Sequence, residues 1–256
     1  MPAAGRGSRL WPYRYPKELF PVALVPDAGG TGVRPWPVCM YALEAMREAG
    51  VDRCVVVVSD EKYEVLRVLG DGTDFGLPCA FVLQREPHGL AHAVRCAQPW
   101  IRDANVVLAM PDTVTLPQDA LRKMHTLLVD TAADVVMGVF PTEEPERLGP
   151  VEMAPDGTVI HVHDKPGHRR WMNAWGLVAW APSFTEFCCA WDQERHREGV
   201  PERVLGHAME AARASGMSVR ALVFEDGVFA DIGTPEGLAV TVDLLARRGL
   251  THVPAR

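Results

Sequence analysis

Nowhere does the sequence hold an apolar run near the ~20 residues that a membrane-spanning helix needs. The opening MPAAGRGSRL has no apolar stretch of the kind a secretory signal carries. No two cysteines have the C-x-x-C spacing, and most of Cys39, Cys54, Cys79, Cys96, Cys188 and Cys189 sit in apolar stretches. That pattern speaks against a disulfide framework or a structural zinc site, and for reduced, buried thiols in a cytoplasmic protein. Positive charge is in deficit: 26 Lys and Arg stand against 33 Asp and Glu, a net charge of -7. An acidic surface excludes a protein whose main task is gripping a nucleic acid backbone, but it leaves room for a local basic pocket. Repeats, low-complexity tracts and linkers are missing as well, so residues 1–256 read as one domain. With 48% hydrophobic and 23% charged residues the chain is not disordered.

What is present is an alternation of two patterns. Short Val-rich runs at 53–59, 79–84, 105–110 and 134–140 read as buried strands. Between them lie helical patterns. One carries Cys39, Leu43 and Met46 on a single face and stops at Gly50. A second spans 61–69, with Asp60 as its expected cap, and a third spans 89–98. A fourth is expected to start with Thr115 as cap and Pro117 in its first turn. Such alternation predicts an α/β fold with a Rossmann-like, mixed but mostly parallel sheet flanked by helices. After Pro141 the pattern changes. Runs at 151–153 and 158–162 flank Pro155-Asp156-Gly157 and predict a hairpin. A strand at 175–180, helices at 183–197 and 202–215 and a strand at 219–224 follow. Thr234 then caps a last helix, with Pro235 at its first position and Leu238, Val242 and Leu245 on one face.

Two stretches point to phosphate chemistry. In Ala3-Ala4-Gly5-Arg6-Gly7-Ser8-Arg9-Leu10-Trp11-Pro12, Gly5 and Gly7 let a loop approach an anion with its amides turned inward. Pro16-Lys17-Glu18-Leu19-Phe20-Pro21-Val22 follows, so Arg9 and Lys17 add fixed positive charge. This is neither a Walker A loop nor a dinucleotide fingerprint. The whole stretch resembles the signature of the sugar-phosphate nucleotidyltransferases, the NDP-sugar pyrophosphorylases. Their pattern is roughly L-A-A/G-G-x-G-T-R-L-x-P and then P-K-x-L-L-P-V, and Ser8 here replaces the usual Thr. Further along, Gln84-Arg85-Glu86-Pro87-His88-Gly89-Leu90-Ala91-His92-Ala93 resembles the family's Q-x-x-P-x-G-L-A-x-A segment. Asp112, after the run ending at Met110, matches its metal-site aspartate. Leu148-Gly149-Pro150-Val151 resembles its Y-G-V-V turn, Asp164-Lys165-Pro166 its E-K-P, and Asp231-Ile232-Gly233-Thr234-Pro235 its D-x-G-T-P.

The resemblance implies transfer of a nucleotidyl group from a nucleoside triphosphate to a sugar-1-phosphate, with pyrophosphate leaving. It implies a nucleotide-binding part over about residues 1–140 and a sugar-phosphate-binding part with an inserted hairpin over about 141–256. By it, Ala4, Gly5, Gly7 and Ser8 would cradle the triphosphate. Arg9 would hold the leaving pyrophosphate, and Lys17 would stabilise charge at the α-phosphate. Asp112 and Asp231 would ligate one Mg²⁺, whose hard character suits carboxylate oxygens. Gln84, with the Gly89 backbone, would read the imide edge of thymine or uracil. Lys165, with Asp164, would bind the sugar phosphate; Gly149, Asn173 and Trp175 would face the sugar, glucose-1-phosphate being the commonest substrate of the branch it most resembles. Dimers or tetramers are common in the family.

Other readings stay open at this point. A bare Gly-rich turn with an Arg is an ordinary loop more often than a site, Asp112 and Asp231 could be turn residues, and Lys165 could be a solvated surface charge. Trp171, Trp175 and Trp180 are dense, and alternation assigns at least one of them to the core. DAGGTGVR at 27–34 is a lid or a plain loop. The pairs His88 with His92 and His161 with His163, and the Cys188-Cys189 dipeptide, each lack the ligand count of a metal site. A non-catalytic nucleotide-sugar binder is the rival function; cytidylyl or guanylyl transfer, or a phosphorylated non-sugar acceptor, are the others. The family also has a strand of about six residues before the Gly-rich loop. Here the sequence opens with Met1-Pro2-Ala3-Ala4-Gly5, so the first strand is expected to be largely missing.

Overall fold

The structure, a computed structural model, describes residues 1–10, 12–13, 15–27 and 32–248. Its elements, in chain order, are β1 (Pro21–Pro26), β2 (Val33–Pro37), α1 (Cys39–Glu48), β3 (Cys54–Val58), α2 (Tyr63–Leu69), β4 (Cys79–Leu83), α3 (Leu90–Ile101), β5 (Val106–Leu108), β6 (Thr113–Leu116), α4 (Ala120–Thr131) and β7 (Val135–Pro141). The second half adds β8 (Val151–Met153), β9 (Val159–Val162), β10 (Asn173–Trp180), α5 (Pro182–Arg197), α6 (Leu205–Ala214), β11 (Val219–Val223), β12 (Val228–Asp231) and α7 (Pro235–Arg247).

The centre is a sheet in the order β11-β7-β10-β5. β7 and β10 are apolar on both faces, and their side chains divide by alternation. Val136, Phe140, Leu177 and Ala179 join the core that contains α1 and α4. Val135, Met137, Val139, Val178 and Trp180 join the core under α5 and α6. Trp180 is buried and donates its indole N–H to Thr185 Oγ1 at 2.8 Å, so this tryptophan is the one that alternation assigns to the core. Each such side chain, taken from water, contributes about 1.5–3 kcal/mol.

The α/β class is as expected, and the sheets are mixed. The parallel majority is not found. Between named strands of the described residues, β3–β4 and β7–β11 pair parallel. β1–β2, β5–β10, β7–β10, β6–β12 and β8–β9 pair antiparallel. The reason lies after Pro141. The β7–β10 connection is the β8–β9 hairpin rather than a crossover helix, so β10 returns between β7 and β5 against their direction.

Of the expected first strand, Met1–Ala3 runs along β3, with Pro2 opposite Val57 in parallel register. The α-ammonium of Met1 donates to Val55 O at 2.9 Å and Ala3 N to Val57 O at 2.6 Å. Residues of β3 and β5 line an apolar cavity of about 210 Å³ with Met1, Ala93 and Trp180.

Three local expectations are corrected. Thr115 lies within β6 and caps nothing; α4 begins at Ala120, after the turn through Pro117. Asp60 makes no cap, because α2 starts only at Tyr63. On α7, Val242 is exposed, and the buried positions are Thr241 and Leu245. Thr241 can be buried because its hydroxyl donates to Gly237 O at 2.7 Å. The Thr234 cap is as expected, accepting from Gly237 N at 3.0 Å. The hairpin β1–β2, not foreseen, brackets the 27–34 stretch, of which residues 28–31, like Trp11, fall outside the described residues. All six cysteines are free, with Cys39, Cys54, Cys188 and Cys189 buried.

Candidate active site

Three loops leave the carboxyl ends of strands. The Gly-rich loop follows the Met1–Ala3 segment, Gln84 follows β4, and Asp112 follows β5. In α/β folds that edge is where crevices for ligands form. Ala4 is buried, while Gly5, Ser8 and Arg9 are exposed. Gly7 has φ +64° and lies over the stem of Lys17, so loop and lysine are packed as a unit.

The ladder between β6 and β12 brings the two candidate carboxylates together. Asp231 pairs with Thr113, and Ile232 N donates to Asp112 O at 3.0 Å. Lys17 Nζ is bonded to Asp112 Oδ2. Arg9 Nη2 lies 3.0 Å from the point where a Cβ on Gly233 would sit, beside Asp231. Burial, then the charge of Asp112, pushes the Asp231 carboxyl up, while the Gly233 N–H, Lys17 and Arg9 pull it back. For Lys17, burial lowers the pKa, but Asp112, with Asp231 and Glu18 behind it, outweighs it, and the net shift is upward. Arg9, Lys17, Asp112 and Asp231, picked from separate stretches of the sequence, therefore meet at one place.

Beneath them is a pair that the sequence reading missed. Glu18 and Lys62 are both buried, and Lys62 Nζ donates to Glu18 Oε1 at 2.5 Å. Burial raises the Glu18 pKa and lowers that of Lys62, each opposed by its partner. The only signal for it was a charged residue in the apolar frame of Leu19-Phe20-Pro21-Val22.

Gln84 is 3% exposed. Its Nε2 donates to Gly89 O at 3.2 Å and contacts His92 Nδ1 at 3.0 Å. Gly89 has φ +99°, and a Cβ there would lie 2.5 Å from Arg203 O and 2.7 Å from Arg203 N. The loop is clamped by that backbone: Arg203 N donates to His88 O at 2.7 Å and Ala91 N to Arg203 O at 3.1 Å. Arg203 is in turn held by Asp192, which accepts from Arg203 Nε at 2.6 Å and from Arg95 Nε. This buried network was also missed, since its members lie more than a hundred residues apart at the extremes.

On the other flank, β8 starts beside β10. Trp175 N donates to Gly149 O at 3.1 Å, and a Cβ on Gly149 would stand 2.4 Å from Trp175 Nε1, so only glycine fits under this indole. Asn173 is otherwise engaged than expected: its Oδ1 accepts from Val151 N at 2.8 Å and its Nδ2 donates to Val151 O at 3.1 Å. Its amide thus clamps β8 to β10. Asp164 is paired with His207 Nε2 at 3.0 Å. Lys165 is exposed, in left-handed backbone at φ +44°, with no ion pair among the described residues. Gly149→Ala is expected to displace Trp175 and shift its emission. A fluorescence spectrum checks it.

Residues 3–246 match the sequence profile described as nucleotidyl transferase. The chain belongs to this family. A glucose-1-phosphate thymidylyltransferase of Streptomyces griseus is 31% identical over 170 residues, covering 65% of this chain and 44% of the relative. One from Streptomyces antibioticus is 28% identical over 241 residues, covering 90% of this chain and 61% of the relative. The chain therefore spans about half the length of the curated relatives it matches. In fold it is similar to a Bacillus anthracis structure assigned as a glucose-1-phosphate thymidylyltransferase, with TM-score 0.81, 19% identity and coverage of 95% of this chain and 92% of the other. It is also similar to a UDP-glucose pyrophosphorylase complexed with UDP-glucose, with TM-score 0.76, 20% identity and coverage of 96% and 97%. Among the described residues no helix of this family member is long and apolar enough to cross a membrane.

Proposed function

We propose that the protein transfers the nucleotidyl group of dTTP or UTP to a sugar-1-phosphate, glucose-1-phosphate first among them, and releases pyrophosphate. The observation that carries this reading is the meeting of Arg9, Lys17, Asp112 and Asp231 beside a Gly-rich loop, with Gln84 at the adjacent strand end.

A phosphate oxygen of the sugar-1-phosphate attacks the α-phosphorus. The bond from that phosphorus to the bridging oxygen of the β-phosphate breaks, and its electrons leave with pyrophosphate. Such a step asks the protein for in-line positioning and for charge neutralisation. Loop amides at Ala4, Gly5, Gly7 and Ser8 orient the triphosphate. Arg9, exposed at the mouth, holds the leaving pyrophosphate. Lys17, positioned by Asp112, is directed to the α-phosphate; its raised pKa keeps it charged at neutral pH. Lys165, with Asp164 beside it, takes the sugar phosphate, and Trp175 over Gly149 forms a wall of the sugar pocket.

Two adjacent carboxylates, one with its pKa pushed up by burial and by the other, suit a divalent cation. Mg²⁺ takes most of its ligands from phosphates and water, so two protein carboxylates suffice for it. Asp112 and Asp231 would hold it, and it would supply Lewis-acid neutralisation of phosphate charge. The rival, a pure nucleotide-sugar binder, has no use for two neighbouring carboxylates, one of them bonded to a charged lysine. The free cysteines support a cytoplasmic setting. The test is a panel of triphosphates and sugar-1-phosphates with Mg²⁺, read by product mass. We expect dTDP- or UDP-glucose as the main product; nucleotide-sugar binding without product from any pair would support the binder instead.

A further inference from the structure

We infer that His92, in its neutral form protonated on Nε2, locks the Gln84 amide in the one orientation that selects uracil or thymine over cytosine, and that protonating His92 releases this selection. The inference rests on the base-reading role proposed for Gln84.

The geometry fixes each proton. Gly89 O only accepts hydrogen bonds, so the Gln84 atom 3.2 Å from it must be the amide nitrogen. The same nitrogen lies 3.0 Å from His92 Nδ1. That ring nitrogen must then be the acceptor, which leaves the ring proton on Nε2, facing Cys96 Sγ at 3.6 Å. Both amide hydrogens of Gln84 are thereby committed, and only its Oε1 remains to meet a base. The Gly89 N–H, which donates to no described group, completes an acceptor beside a donor. That order matches the N3–H and adjacent carbonyl of uracil or thymine. Cytosine in the same position offers a bare N3 to the Gln84 oxygen, acceptor against acceptor, and is disfavoured by that unpaired contact.

A protonated His92 donates from Nδ1 and can no longer accept from Gln84. The amide then either turns its oxygen toward His92, against the Gly89 carbonyl, or loses its fixed orientation. In both cases the imide is no longer favoured. The groups around His92 are Arg95 and Cys96 on its own helix, Asp192 on α5, Arg203 before α6, and His88, whose ring centroid is 5.3 Å away. Burial lowers the His92 pKa first; Asp192 opposes this, and Arg95, Arg203 and His88 lower it further. Neutral pH thus leaves the lock closed, and acid opens it. His92 is a positioning residue here, acting only through Gln84.

The experiment is calorimetric binding of UTP and CTP, at saturating Mg²⁺, from about pH 8 to about pH 5. Taking the ratio of the two affinities cancels titration of the phosphates, which both ligands share; cytosine N3 also takes up a proton toward the acid end, and the His92→Asn profile is the reference for that effect. The intact protein should favour UTP by about tenfold or more at the upper end and lose most of that preference at the lower end. His92→Phe keeps a ring but offers no acceptor, and should show the low ratio throughout. His92→Asn places a carbonyl oxygen where Nδ1 was and cannot be protonated; it should restore the high ratio and hold it above that of the intact protein at the acid end. A high ratio in His92→Phe, or a pH-independent ratio in the unmodified protein, would overturn this inference alone. No preference for UTP at any pH would overturn the base-reading role of Gln84 and this inference with it. Should His92→Phe fail to fold, the intact protein compared with His92→Asn decides: equal ratios at the acid end would overturn the inference.

Discussion

Asp112→Asn should lower turnover by on the order of 10³-fold while leaving the thermal midpoint nearly unchanged. The substitution preserves shape and removes one charge from a place where two carboxylates face each other beside Lys17. For stability the effects oppose: Lys17 loses an ionic partner, and Asp231 loses a like-charged neighbour. For catalysis they add. One of two candidate cation ligands is gone, and Lys17 no longer has the carboxylate that positions it. Because Asp112 is the second cause of the raised Asp231 pKa, that pKa should also fall in the variant. Single-turnover kinetics and a thermal melt check the two halves separately. Near-normal rates would remove Asp112 from the mechanism.

The second large effect is structural. Asp192→Ala should destabilise the fold by about 3–5 kcal/mol, because it strips the anion from two arginines, one of them buried. For a chain of this size that corresponds to a midpoint lowered by on the order of 10 °C. The loss should reach the nucleotide site. Arg203 is the residue whose backbone grips His88 and Ala91 on either side of Gly89. Loosening it frees the loop that carries the Gly89 N–H, so KM for the triphosphate should rise even where the variant remains folded. Urea unfolding gives the first number and initial-rate kinetics the second. A loss under about 1 kcal/mol would mean that the buried arginine finds another partner.

How much of this was legible beforehand follows the range of the forces involved. The Val-rich runs became strands within a residue or two; in β3 and β7 burial on both faces needs an unbroken apolar stretch, whereas β4 leaves Ala80 and Leu83 exposed. The Thr234 cap was readable because its partner, Gly237, is three residues away. Thr115 misled for the complementary reason: a good cap residue was drawn into β6 by pairing with β12, more than a hundred residues on. The antiparallel return of β10 was hidden, since its neighbours are chosen by the sheet and not by its own sequence. The site divides the same way. Arg9, Lys17, Asp112 and Asp231 each sit in a local motif, and the structure brings them together. Asn173, which the resemblance turns toward the sugar, is tied to Val151 across the sheet. His92, Glu18 with Lys62, and Asp192 with Arg203 have no local signature, because what defines each is a partner distant in sequence or a proton on one ring nitrogen.

The central claim is that the bond broken lies between the α- and β-phosphates. It is tested most directly by following label from dTTP or UTP with glucose-1-phosphate and Mg²⁺. Phosphorus-32 at the α-position should end in the nucleotide sugar, and at the γ-position in pyrophosphate, in equal amounts. Transfer of γ-label to the sugar, or release of labelled inorganic phosphate without nucleotide sugar, would contradict the account.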